Sequence, residues 1–347
     1  MRAVVLDGER SVSVSEVPDA ALSGPDGVVV GVEQAAICGS DLHLYHGEVG
    51  GLGIRLGHEF IGTVLEAGPD VRRFRPGSRV LVSGVIGCGR CPACVAGDPV
   101  ACRNDGLAIF GTGLDLPGGQ AEAVAVPAAD VFCLDVPEAV TPEQALLLTD
   151  ILPTGYLAAL RAQISPGSTV AVIGLGPVGI LALMCAQLFG PARVLAVDRV
   201  PDRLRRAEEL GAEPLDAGQA GAADLIRQAT GGWGAPSVIE AVGSDVTLGE
   251  ALHAAAPDGT VSVVGVNLAM AFPFPITLAL LRSLTFRVTL AAIPSTWEAL
   301  VPLLESGRLH PDAVFTHRMG LSEAPLAYRT FDDRTDGVLK VMLDPSR

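Results

Sequence analysis

Basic side chains are scarce in this chain: 24 lysines and arginines stand against 39 aspartates and glutamates over 347 residues, a formal net charge of -15. Nucleic acids and anionic membranes attract proteins through an excess of Lys and Arg, so the shortage argues against both partners and leaves small molecules as the expected ligands. A secretory leader is not expected either. The opening MRAVVLDGERSVSVSE places Asp7, Glu9 and Arg10 where a signal peptide needs its apolar run, and the cytoplasm is the expected location. There is no internal repeat, charged tail or low-complexity linker. With 49% hydrophobic and 18% charged residues the chain is globular, and at ~100 to 200 residues per domain its length calls for two domains or one with a large insertion.

Two uncharged runs, Ser165 to Ala192 and Gly259 to Leu281, each exceed the ~20 residues a bilayer requires. The first carries GLGPVG in its middle and the second FPFP, punctuation that suits strand, turn and helix packed inside a protein, so no membrane span is expected. Cysteines number only seven, but four fall within fifteen residues and the others stand alone at Cys38, Cys133 and Cys185. In a reducing compartment such clustering points to metal before disulfide, while Cys133 and Cys185 are expected as core fillers.

Residues 1–148 are short β-type runs such as AVVL, GVVVGV and SRVLVSGV, broken by Gly, Pro and Asp turns, which predicts an all-β, barrel-like region. Over 149–293 strand and helix alternate: STVAVIG then PVGILALMCAQLF, ARVLAVD then PDRLRRAEELG, APSVIEAVG then TLGEALHAAA, followed by GTVSVVGV and SLTFRVTLAAI. Near-continuous apolar strands between helices imply a parallel sheet covered on both faces. Residues 294–347 open with the helical TWEALVPLLESG and end in GVLKVML. The fold class is α/β.

Three constellations carry chemistry. In VIGLGPVGILALMCAQLFG, Gly174, Gly176 and Gly179 spell G-x-G-x-x-G after a strand and before an apolar helix, the context that gives this pattern meaning for a dinucleotide pyrophosphate. Asp198 ends the next strand, where a carboxylate accepts both ribose hydroxyls of NAD and repels a 2′-phosphate; Arg199 beside it leaves NADP open. Cys88, Cys91, Cys94 and Cys102 form C-x2-C-x2-C-x7-C, a ligand set for a closed, structural zinc, with an iron-sulfur cluster as the chemical rival. The third constellation is CGSDLHLYHGEVGGLGIRLGHE, in which Cys38, His58 and Glu59 are candidate ligands. A catalytic zinc needs three protein ligands; Asp150, a lone carboxylate in the apolar LLLTDILPTGY, is the third candidate, unless it caps the following helix.

CGSDLH, GHEFIGTV, the four-cysteine lobe, GLGPVG and Asp198, in this order and spacing, resemble the zinc-dependent alcohol dehydrogenases of the medium-chain dehydrogenase/reductase superfamily over nearly the whole chain. The resemblance implies a GroES-like, partly β-barrel catalytic domain made from 1–148 and 294–347, with a Rossmann NAD-binding domain at 149–293 and a cleft for NAD and zinc between them. It implies two zincs per chain. Cys38, His58 and Asp150 would bind the catalytic one, with Glu59 entering its shell transiently. Ser40 would accept the alcohol proton and His43 would carry it outward. Pro177 and Val178 would join the fingerprint glycines on the cofactor, with Arg203 on its adenosine side and Lys340 near the pyrophosphate. Asp150 is a departure: animal and plant enzymes place cysteine there and polyol dehydrogenases commonly glutamate, whereas TDILPTGY looks most like bacterial alcohol and formaldehyde dehydrogenases. His46 is left as a solvated loop residue.

The implied chemistry is hydride transfer between an alcohol and NAD, with zinc as Lewis acid. Val85, Ile86, Phe110 and Ile293 are pocket candidates, and their apolar character favours a simple primary or secondary alcohol over a polyol or diol. A zinc-stabilised binding or regulatory relative without turnover is the reading from another class. The zinc-free quinone or enone reductases are disfavoured by Cys38, His58 and Asp150 occurring together. The strand SLTFRVTLAAI resembles the edge through which family members pair, so a dimer or tetramer is expected.

Overall fold

The structure is a computed structural model that describes residues 1–104 and 106–347. The chain divides into two compact units, one of Met1–Pro153 with Ala291–Arg347 and one of Thr154–Leu290.

Among its described residues the first unit opens with nine strands: β1 (Arg2–Gly8), β2 (Ser11–Glu16), β3 (Val28–Ala36), β4 (Glu59–Ala67), β5 (Arg79–Val82), β6 (Val85–Ile86), β7 (Ala108–Ile109), β8 (Ala123–Val126) and β9 (Cys133–Asp135). β3 is central, running antiparallel to β4 on one side and to β8 on the other. Its VVVGV run is buried almost throughout, which is why β-branched residues fill it. A β-carbon on Gly62 would fall 2.0 Å from the Gly31 carbonyl oxygen, so glycine is what lets β3 and β4 approach there. The register pairs Ala36 with Glu59, and this juxtaposes the residues that follow β3 with those that begin β4. Cys38 and His58 meet for that reason. Below them Phe60 packs edge-on against Phe110, ring centroids 5.2 Å apart, in a core that includes Ile86, Phe132 and Cys133. Phe110 and Ile86, pocket candidates in the sequence, are therefore core residues, and Ile293 is wholly buried too.

The second unit contains β10 (Thr169–Ile173), β11 (Arg193–Asp198), β12 (Glu213–Asp216), β13 (Ala235–Glu240), β14 (Ala255–Val263) and β15 (Thr285–Val288). All pairings are parallel, in the order β12-β11-β10-β13-β14-β15. Relabelled by position this is 3-2-1-4-5-6, the doubly wound Rossmann order, whose ligand crevice lies where the order reverses, at the carboxyl ends of β10 and β13. The two long uncharged runs resolve into buried strands and the helices Pro177–Gln187 and Ile276–Arg282, and among the described residues no helix is long and apolar enough to cross a membrane.

Two closing strands, β16 (Phe315–Gly320) and β17 (Lys340–Asp344), return to the first unit's sheet. β17 pairs with β3 through Met342–Ala36 and Leu343–Ala35, so the end of the chain is delivered to the same strand end that presents Cys38 and Glu59.

Candidate metal and dinucleotide sites

Cys38, His58, Glu59 and Asp150 offer ligand atoms that all lie within 4.8 Å of one another. Asp150 arrives on the turn after the helix Pro142–Leu147, which starts with a Thr141/Gln144 capping box and proline at its first position. Its Oδ2 lies 3.6 Å from Cys38 Sγ and 3.3 Å from His58 Nε2. A tetrahedral zinc with Zn–S of ~2.3 Å and Zn–N and Zn–O of ~2.0–2.2 Å would set these donors about 3.6 and about 3.4 Å apart, so the spacing fits that ion. The charge distribution fits as well. Burial opposes protonation of His58, yet Asp41, Cys38 and Asp150 outweigh it and hold its pKa well above the ordinary value. Burial also raises the Cys38 thiol. Two carboxylates, Asp41 and Asp150, face one buried imidazole, and a divalent cation can there replace the protons of both imidazolium and thiol.

Ser40 completes the cluster's rim, its Oγ 3.3 Å from Cys38 Sγ and 3.2 Å from His58 Nε2. His43 Nδ1 is 2.6 Å from Glu48 Oε2 and the ring is partly exposed. His46 corrects the expectation of a solvated residue: it is half-buried, with Nε2 2.8 Å from Asp332 Oδ1, and Asp332 in turn pairs with Arg10.

The four cysteines form a lobe held by its own backbone. Cys88 Sγ accepts the Cys91 N–H, Cys91 Sγ the Cys94 N–H and Cys102 Sγ the Cys88 N–H, while Asn104 Nδ2 donates to Cys88 Sγ at 3.2 Å. Backbone N–H groups, first that of Arg90, lower the Cys88 pKa to about 6. Cys88 and Cys94 Sγ are 3.9 Å apart, far beyond the ~2.05 Å of a disulfide and close to the about 3.8 Å of two sulfurs on a tetrahedral zinc. Gly87 is required beside them, since a β-carbon there would lie 2.6 Å from Cys94 Sγ.

In the second unit the fingerprint glycines have separate tasks. Gly174 turns with φ of 89°. A β-carbon at Gly179 would fall 1.8 Å from the Gly174 carbonyl oxygen, so the helix packs on the strand only with glycine there. At Gly176, the cap of the helix beginning at Pro177, the nearest atom beyond its chain neighbours would be Arg203 Nη1 at 3.9 Å, leaving its surface open to a ligand. Asp198 Oδ2 accepts the Leu175 N–H at 2.6 Å and Oδ1 the N–H groups of Arg199 and Val200, which fixes the carboxylate at the end of β11. Arg203 stands 3.8 Å from it, and Arg199 is exposed.

Residues 24–138 match the family model for the alcohol dehydrogenase GroES-like domain, and residues 177–306 that for zinc-binding dehydrogenases. A Mycobacterium tuberculosis H37Rv protein described as "Probable zinc-binding alcohol dehydrogenase Rv1895" is 54% identical over 346 residues, 99% of this chain and 89% of its own length. The chain belongs to the zinc-dependent alcohol dehydrogenases of the medium-chain dehydrogenase/reductase superfamily. Among solved members, the alcohol dehydrogenase TADH from Thermus sp. ATN1 superposes with a TM-score of 0.92 at 42% identity, covering 99% of both chains. A Sinorhizobium meliloti 1021 protein solved bound to NADP superposes with a TM-score of 0.84 at 31% identity, again over 99% of both.

Lys340 lies wholly buried with Nζ 2.5 Å from Glu59 Oε1, so its ammonium stands beside the cluster of Cys38, His58 and Asp150. Burial pushes the Glu59 carboxyl up, and the attraction of Glu59 outweighs burial to raise Lys340. The sequence held a signal for this: Lys340 is the chain's only lysine, every other basic side chain being arginine. Asp41 was missed without such a signal. It is fully buried, and its Oδ1 lies 3.2 Å from His58 Nδ1, the position from which a carboxylate orients a metal-binding histidine.

Proposed function

We propose that this chain is an NAD-dependent zinc alcohol dehydrogenase that interconverts a small to medium primary or secondary alcohol and its aldehyde or ketone. The observation that carries the proposal is the cluster of Cys38 Sγ, His58 Nε2 and Asp150 Oδ2, a mixed S, N, O set at zinc-like separations with Ser40 on its rim. Zinc held there supplies Lewis acidity toward an alcohol hydroxyl, and NAD supplies the hydride acceptor. The chain's own groups do the rest. Cys38, His58 and Asp150 bind the ion. Ser40 Oγ receives the hydroxyl proton and His43, paired with Glu48 at the surface, passes it to solvent. Lys340 holds Glu59 through Oε1 and leaves Oε2 without a partner among the described residues, so Glu59 can enter the ligand set through Oε2 with the buried ion pair intact. A second, structural zinc belongs to the four-cysteine lobe.

For the cofactor, Gly174, Gly176, Pro177, Val178 and Gly179 cradle the pyrophosphate, and Asp198 favours a free ribose 2′-hydroxyl over a 2′-phosphate. Arg199 and Arg203 flank that carboxylate, and a relative at 31% identity was solved with NADP, so Asp198→Ala is expected to narrow the ratio of kcat/KM for NAD over NADP several-fold. Self-pairing through the sheet edge at β15, where Val288 is exposed and the preceding helix Ile276–Arg282 exposes Leu280 and Leu281, would give a dimer; light scattering showing a monomer at micromolar concentration overturns it.

The purified chain with NAD, presented with ethanol, secondary alcohols, diols, sugar alcohols and formaldehyde hydrate, is expected to produce NADH absorbance that a zinc chelator abolishes. Strongest turnover on sugar alcohols would move the assignment to the polyol branch. Silence across the panel with NAD binding intact would mean either a specialised substrate or a binding or regulatory protein.

A further inference from the structure

Asp41 touches two of the proposed zinc ligands at once. Its Oδ2 accepts the backbone N–H of Cys38 at 2.9 Å, and its Oδ1 is 3.2 Å from His58 Nδ1. The second contact is off the axis of a hydrogen bond, and neither atom has another partner among the described residues, so a small turn of the imidazole would satisfy both. A buried carboxylate in this position needs anchoring of its own. Gln120 supplies it: Nε2 donates to Asp41 Oδ2 at 3.2 Å and to the Ala36 carbonyl at 3.0 Å, while Oε1 accepts the hydroxyl of Tyr328 at 2.9 Å. Asp41, Gln120 and Tyr328 are all 0% exposed.

The direction of this chain of bonds is forced. Asp41 Oδ2 and the Ala36 carbonyl only accept, so the amide nitrogen of Gln120 has to face them. Its oxygen then points away into the core and requires a donor, which the Tyr328 hydroxyl provides. Burial, and after it the charge of Asp41, raises the Tyr328 pKa well above the ordinary phenol value, so the donor proton stays in place. Without that hydroxyl the amide oxygen would be a buried acceptor with nothing to accept, an arrangement that favours reorientation and release of Asp41.

We propose that Tyr328 and Gln120 are positioning residues of the metal site, acting through Asp41 to aim His58 and to fix the Cys38 backbone. Tyr328 lies on the helix Ala324–Asp333 of the closing segment, 208 residues from Gln120, so the C-terminal part of the chain sets the geometry of ligands near its start. The proposal rests on the assignment of zinc to Cys38, His58 and Asp150.

The test uses the full chain and compares wild type with Tyr328→Phe and Gln120→Glu. Zinc retention is titrated against a graded chelator, with the four-cysteine lobe as internal reference, and cobalt(II) is substituted so that its visible spectrum reports ligand geometry. Tyr328→Phe is expected to weaken zinc at the mixed cluster about 10-fold and to shift that cluster's cobalt bands while the lobe is unmoved. Gln120→Glu sets a second carboxylate against Asp41 and is expected to lose nearer ~100-fold, giving the same readout if Tyr328→Phe does not fold. A merely packing role predicts a lower Tm with the ratio of the two zinc affinities and the cobalt spectrum unchanged, and that result in a folded variant overturns the proposal. Wild-type protein that binds a single zinc overturns the site assignment together with it; two zincs in wild type with unmoved variants overturn this proposal alone.

Discussion

The two groups of candidate metal ligands are built by opposite routes. The four-cysteine lobe closes within fifteen residues: Cys88 and Cys91 Sγ accept N–H groups three positions on, Cys102 Sγ accepts that of Cys88, and two of the four cysteines remain partly exposed. The mixed cluster joins Cys38 to Asp150 across 112 residues and Glu59 to Lys340 across 281, and it holds a buried ion pair beside its ligands. Local turn chemistry is enough to make the first. The second exists only once β3, β4 and β17 have paired. A site made of turns tolerates loss of distant parts of the fold, whereas a site made of strand ends shares its energetics with the core that aligns them.

That difference can be broken or sharpened by substitution. The largest effect on stability is expected from Lys340→Met, which leaves Glu59 buried without its partner and should cost about 3–5 kcal/mol in chemical unfolding, with the Glu59→Met/Lys340→Met double variant recovering most of the loss. Additive losses in that cycle would mean the pair is not coupled. Cys94→Ser, at the more deeply buried of the lobe's two buried cysteines, should release the lobe's zinc and cost about 2 kcal/mol, with hydrogen exchange rising chiefly over residues 87–104 and the mixed cluster keeping its metal. Loss of zinc from both clusters would contradict their independence. Asp150→Ala should change stability by only about 1 kcal/mol yet remove the mixed cluster's zinc and with it NADH production, while metal analysis still finds the lobe's zinc. Retention of both ions would remove Asp150 from the ligand set. Smallest of all, Asn104→Ala deletes the amide donor to Cys88 Sγ and should cost about 0.5 kcal/mol, seen as faster transfer of the lobe's zinc to a chelator.

Much of this was legible from residue order. The G-x-G-x-x-G turn, the strand ending in Asp198 and the clustered cysteines are patterns whose meaning is settled within one turn or one βα unit, and CGSDLH with GHEF brought the mixed cluster's principal ligands into view. The partners of buried charges were not legible. His46 looked like a solvated residue because the partner that half-buries it, Asp332, is 286 residues away; its near neighbour Glu48 reaches it only at 3.8 Å. Phe110 looked like a pocket wall because composition cannot tell an apolar surface facing a cleft from one packed on Phe60. The partner of Lys340, Glu59, lies 281 residues away and was not legible, although its place as the only lysine in an arginine-rich set marked Lys340 as a special position.

By itself, then, the sequence determined the doubly wound sheet, the fingerprint turn, the four-cysteine lobe and the identity of the residues able to bind a second metal, because hydrophobic period and turn chemistry act over a few residues. The tertiary structure alone decided that Lys340 neutralises Glu59, that Asp41 stands behind both His58 and Cys38, and that Tyr328 and Gln120 hold Asp41. These are pairings of buried polar groups, each too costly to leave unsatisfied, and which group meets which is fixed only when strands far apart in the chain come into register.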